Sequence, residues 1–158
     1  MWSKALSKGG WDNQYTIVKN GEAVELYGGT PVSYDLATAD GSVLLPITAN
    51  FELMAGFIDT GVTLAASGGD KDYGAAMVRG YHAGIYMFGS TITPGALLKP
   101  VTGKSYVSQA TTFAHADSTA EALTYDEGIV CAVAGGTVLI AGSTFGDKTA
   151  AWVRCLKF

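Results

Sequence analysis

The sequence predicts an all-β domain of short antiparallel strands, closed into a compact barrel-like body or stacked as a sandwich, with at most one short helix. Three observations predict it. The stretch from Ala75 to Gly103 sets β-branched and aromatic residues (Val78, Tyr81, Ile85, Tyr86, Phe88) between glycine and proline turns. Glycine at 21 and proline at 4 exceed their usual combined share, as many tight turns require. With no long helical pattern to cover a sheet, the core must form by sheets packing together or closing on themselves. At 158 residues the chain is one globular unit, burying roughly 70% of its unfolded surface.

Residues 1–42 read as an N-terminal arm with a hairpin, and residues 43–158 as the β-rich body. Trp2 and Trp11 flank a glycine-punctuated segment with little structure of its own. Two readings stay open there: an arm that docks on a neighbour, or tryptophans folded back onto their own domain. Gln14 to Lys19 and Glu22 to Tyr27 flank Asn20-Gly21, a strong hairpin signal. Gly29-Thr30-Pro31 is a turn before a strand from Val32 to Leu36. Ala39-Asp40-Gly41 turns into Ser42 to Leu45, which Pro46 closes by withholding a ladder donor.

Phe51 to Ile58 is an apolar run whose Glu52 faces solvent or a partner, and Thr60-Gly61 turns it into Val62 to Ala66. Ser67 to Gly74 is a loop feeding the spine of the fold. That spine, Ala75 to Phe88, is one long strand bent at Gly80 and Gly84, or else a hairpin at His82-Ala83-Gly84. Pro94-Gly95 supplies a type II turn, Ala96 to Lys99 a short run ended by Pro100, and Val101 to Lys104 a turn into Ser105 to Ser108. Ser118 and Glu121 have capping-box spacing for a helical turn or two over Asp117 to Leu123. Gly128 to Ala134 and Thr137 to Ala141 read as a hairpin around Gly135-Gly136. The last run, Ala151 to Phe158, sets Ala151, Val153 and Cys155 on one face against Trp152, Arg154, Leu156 and Phe158 on the other, so both faces carry apolar bulk. Such a strand is sandwiched centrally or covered by a partner.

Residues with reactive chemistry are few. His82 and His115 stand in no nucleophile pattern, and Gly142 to Gly146 puts Ser143 in the wrong place for a nucleophile elbow. His82, inside the spine, reads as a hydrogen-bonded structural histidine. Asp70-Lys71-Asp72-Tyr73-Gly74 lacks the later ligands of a calcium loop and reads as a solvated acidic loop; Asp126-Glu127 is a solvated pair. Cys131 and Cys155 are expected as packed free thiols. No cofactor or metal site is expected, and no enzymatic activity.

Charged residues make up only 15% of the chain, against about 25% in an average soluble domain, while hydrophobic ones make up 48%. A surface so short of charge is expected to be covered by other subunits. Net charge is −4 with a pI near 5.0, and the basic residues are scattered, which argues against a nucleic-acid partner. The start lacks the apolar segment of a secretory signal, and no run approaches a spanning helix, so synthesis in a cytoplasm and no membrane partner are expected.

Four landmarks carry a resemblance: Ala49 to Met54, Val78 to His82, Pro94 to Gly103, and Trp152 to Leu156. In order and spacing, from about residue 45 to the end, the chain resembles the tailed-bacteriophage head decoration (capsid cement) proteins. The resemblance implies a non-enzymatic β-rich virion protein on the outer capsid surface, usually a homotrimer, that clamps neighbouring major capsid protein subunits. It implies no catalytic residues. The interface candidates are Trp2, Trp11, Trp152, Arg154 and Phe158. The alternative is a carbohydrate- or host-surface-binding module of a tail or fibre, with Tyr81, Tyr86 and Trp152 as its aromatics.

Overall fold

The computed structural model describes residues 13–38, 40–47, 53–87, 91–92, 94–109, 132–134, 138–139 and 148–155. These residues are almost all strand or turn, in a mostly antiparallel arrangement, as the composition and turn spacing predict. The organising element is β7 (Tyr73–Tyr86), one strand of 14 residues. Of the two readings of the spine, the continuous strand holds. Within it Gly80 has φ 128, a conformation that glycine adopts without strain.

Two groups of strands share β7. In the first, β1 (Gln14–Asn20) pairs with its N-terminal half, and β5 (Met54–Ile58) pairs at Met77 and Ala76. β5 continues to β3 (Pro31–Tyr34), β3 to β4 (Ser42–Leu44), and β4 runs parallel to β1 through Lys19↔Ser42. The pairings therefore run β1-β4-β3-β5-β7 and back to β1, a closed circuit. A small sheet of β2 (Leu26–Tyr27) and β6 (Thr63–Leu64) lies outside the circuit's pairings yet contributes Leu26 and Leu64 to its core.

In the second group, β13 (Lys148–Arg154) takes the C-terminal half of β7, followed by β11 (Ala132–Ala134), β9 (Leu97–Pro100) and β10 (Val107–Gln109). Arg79 marks the handover, with Gln14 as register partner in one group and Arg154 in the other. An isolated parallel bridge between Met87 and Val107 curls this group back to the end of β7. β8 (Thr91–Ile92) and β12 (Val138–Leu139) pair separately.

Each group encloses its own apolar cluster. Val18, Leu26, Val32, Val43, Ala55, Ile58, Leu64 and Ala76 fill the first. Met54, Phe57, Met77, Val78, Ile85, Leu98, Val107, Ala151, Val153 and Cys155 fill most of the second. β5 serves both. A strand in regular register would send Met54 and Ile58 to one face, but they lie in different clusters. The cause is a bulge. The ladder to β3 steps from Val32↔Gly56 to Ser33↔Met54, leaving Ala55 unopposed and reversing the side-chain phase. Gly56 has φ 136 there, and a Cβ on it would collide with the Met77 carbonyl.

Several turns form as expected: Gly95 and Gly103 take positive φ of 86 and 64, and Lys104 N donates to Val101 O at 3.0 Å. Two expected hairpins do not form. Gln14 to Lys19 does not pair with Glu22 to Tyr27, because both edges of β1 are occupied, by β7 and β4, while Leu26–Tyr27 pairs with β6. Asn20-Gly21 is used differently. The buried Asn20 amide donates to Val24 O and Ala65 O, each at 2.8 Å, and its Oδ1 accepts from Glu22 N at 2.8 Å. This Asx-type turn carries the chain away from β1. β1, β3 and β4 thus belong to the same nine-stranded sheet as the strands after residue 43. Likewise β11 does not pair with β12 across Gly135-Gly136, since β13 and β9 occupy both edges of β11. The expected helical turn at Asp117 to Leu123 and the orientation of Glu52 lie outside the described residues.

Candidate interaction surface

β1 has apolar side chains on both faces. Val18 and Asn20 point inward and are buried, so Tyr15 and Ile17 must point out. Ile17 is 71% exposed and Tyr15 46% exposed. Across the ladder, Tyr73 is the register partner of Lys19 and lies diagonally from Ile17; it is 58% exposed. Single exposed hydrophobic residues are ordinary, but three large ones on adjoining positions of a ladder make a patch.

Two charges beside this patch, Lys19 and Asp40, are paired. Lys19 Nζ lies 3.1 Å from Asp40 Oδ2 and 5.8 Å from the centroid of the Tyr73 ring. Asp40 Oδ1 accepts from Ser42 Oγ at 2.5 Å and from Ser42 N at 3.1 Å. The Ser42 hydroxyl first, and Lys19 after it, hold the Asp40 carboxyl far below the usual carboxylate range, and the bond to Asp40 raises Lys19. Partial burial, with Asp59 nearby, pushes the Tyr15 phenol up, so it stays neutral at physiological pH. The face is aromatic and aliphatic, with Lys19 and Asp40 offsetting each other beside it.

The exposed face is made of residues other than the interface candidates from sequence. Trp152 and Arg154 occupy register positions opposite Tyr81 and Arg79 on β7, and Trp2, Trp11 and Phe158 lie outside the described residues. The residues that do form the exposed patch were legible only as strand residues. Their signal was present in Tyr15-Thr16-Ile17-Val18, where Tyr15 and Ile17 share one face and Val18 takes the other. Of the aromatics considered for sugar binding, Tyr81 and Tyr86 are half-buried, and Lys148 Nζ sits 4.3 Å from the Tyr86 centroid.

His82 is a structural histidine. It is fully buried, Nε2 lies 2.9 Å from Ile58 O, and Gly84 N donates to Nδ1 at 3.1 Å. The loop at Asp70 to Asp72 is only partly solvated, which corrects the expectation. Asp70 is exposed, but Asp72 is buried, its Oδ2 accepting from Gly68 N at 3.2 Å and its carbonyl from Asn20 N at 2.7 Å. Asp72 closes the loop onto β1. Cys155 is buried; Cys131, His115, Asp126-Glu127 and Ser143 lie outside the described residues. Among the described residues, no group of three or more His, Cys, Asp or Glu is placed to hold a metal, and no helix is long and apolar enough to cross a membrane.

Compared with protein-family models, curated proteins and solved structures, the chain matches none.

Proposed function

We propose that this chain is a structural virion protein that decorates a bacteriophage head from outside and stabilises it by binding across neighbouring major capsid protein subunits. The observation that carries the reading is the exposed apolar face of β1 and β7, Tyr15, Ile17 and Tyr73, on a chain with only 15% charged residues. The ordered landmarks from residue 45 onward supply the capsid context. A rigid ladder suits such a role, because ordering flexible groups on binding costs affinity. Each Å² of apolar surface removed from water contributes about 25 cal/mol, and repetition over a symmetric shell adds avidity. Assembly as a homotrimer belongs to the same proposal.

The sugar-binding alternative draws less support. Its aromatics should lie open for stacking, whereas the Tyr86 ring carries the Lys148 ammonium.

The test is cosedimentation of purified protein with expanded empty phage heads, together with its mass in solution. Saturable binding at a fixed ratio to capsid subunits, by a trimer, is the expected result. A monomer at high concentration that leaves the heads bare would overturn the proposal.

A further inference from the structure

On different residues from the β1 face, the chain before β2 borders an open groove of about 480 Å³, within the ~300–1,000 Å³ range of pockets that enclose ligands. Val24, Leu26, Leu45 and Ala66 give it an apolar lining, and Val24 is 58% exposed. The segment Ala23 to Glu25 runs along it outside any strand, and the amides of these three residues make no hydrogen bond among the described residues. Ala23 and Val24 lie in a bend and Glu25 leads directly into β2, so the groove offers unpaired backbone donors beside the start of a short strand. Its floor includes Thr30, which is 1% exposed and whose hydroxyl has no partner among the described residues.

The charge at the groove is acidic. Glu25 borders it, with its Oε2 accepting from the Tyr27 hydroxyl at 2.8 Å. Next to the groove-lining Leu45, Glu22 Oε1 accepts from Leu45 N at 2.8 Å. Apolar lining, free backbone amides and the Glu25 carboxylate at its border together match one kind of occupant. We propose that the groove takes an extended segment of a partner polypeptide, whose main chain accepts hydrogen bonds from the amides of Ala23 to Glu25. It seats an apolar side chain on Val24, Leu26 and Leu45, and sets a lysine or arginine beside Glu25. Main-chain bonds supply affinity in this mode and alternate side chains supply specificity. The site does not depend on the capsid reading.

The test is an amide NMR titration of the ¹⁵N-labelled full chain with acetyl-Lys-Val-Leu-Val-Lys-amide. The expected result is saturable shifts at Ala23 to Tyr27 and Ala66. The same peptide with its alternate amides N-methylated should lose binding, and the counterpart with glutamate in place of lysine should bind about three-fold more weakly. Glu25→Gln should erase that difference while leaving the fold unchanged. Unmoved amides along Ala23 to Tyr27 at millimolar peptide would overturn the proposal, as would equal binding by the N-methylated peptide or a basic preference that survives in Glu25→Gln.

Discussion

His82 Nε2 lies 2.9 Å from the carbonyl oxygen of Ile58, joining the centre of β7 to the end of β5, and the same oxygen accepts from Gly29 N at 2.7 Å. Because Gly84 N donates to Nδ1, the proton of the neutral ring resides on Nε2 and is donated to Ile58. Burial holds the ring's pKa below its ordinary 6.5, against opposing contributions from the Ile58 carbonyl and Asp59.

The sign of the pH dependence follows. Above 6.5 the ring is neutral in both folded and unfolded chains, and stability is at its full value. As pH falls below 6.5 the unfolded chain takes up a proton that the folded one refuses, so stability drops until the folded-state value is passed. Urea midpoints measured between neutral and mildly acid pH should fall for the native chain and fall less for His82→Gln. Identical slopes in the two would mean that His82 does not titrate in this way. His82→Ala should lose about 2–4 kcal/mol, from the cavity and the unsatisfied Gly84 amide.

The bulge in β5 makes a second prediction. Gly56→Ala places a Cβ against the Met77 carbonyl at a φ of 136, and is expected to cost about 2–4 kcal/mol. Gly95→Ala is the control: its φ of 86 is also positive, but open space surrounds the site, so about 1–2 kcal/mol is expected. Thermal melts of the two variants should rank them in that order.

Asn20 makes three hydrogen bonds from a fully buried side chain. Asn20→Asp removes both donated bonds and buries a carboxyl group facing the carbonyls of Val24 and Ala65, so it should be the more harmful change. About 3–5 kcal/mol is expected for Asp and about 2–4 kcal/mol for Ala, read from denaturant midpoints. Equal, small losses would show that the turn closes without the amide.

Ile17→Ser combined with Tyr73→Ser tests the outward face. These side chains are exposed, so unfolding free energy should move by no more than about 0.5 kcal/mol each. Binding to expanded heads should fall well over ten-fold, since removing apolar anchors at the centre of an interface typically costs more than about 2 kcal/mol. Retained binding would place the contact elsewhere on the molecule.

The all-β class, the continuous spine and most turn positions were legible in the sequence, because they rest on local chemistry. Val78, Ile85 and Tyr86 favour extended backbone, and Gly80, Gly95 and Gly103 stand where the chain takes positive φ. His82 was likewise readable as structural from its place in an apolar strand. Which strands pair was not legible. Asn20-Gly21 and Gly135-Gly136 both carry hairpin chemistry, yet β1 and β11 each have two edges and found better partners for both. Edge occupancy is decided by the whole sheet, and no local signal records it. The same holds for the exposed face. Tyr15 and Ile17 alternate with Val18 in the sequence, but only closure of β1 between β4 and β7 determines which side of the strand meets water. The sequence alone set Val18 on the opposite side of β1 from Tyr15 and Ile17; the tertiary structure decided that Val18 would face inward, because the other strands of its sheet and their core lie on that side.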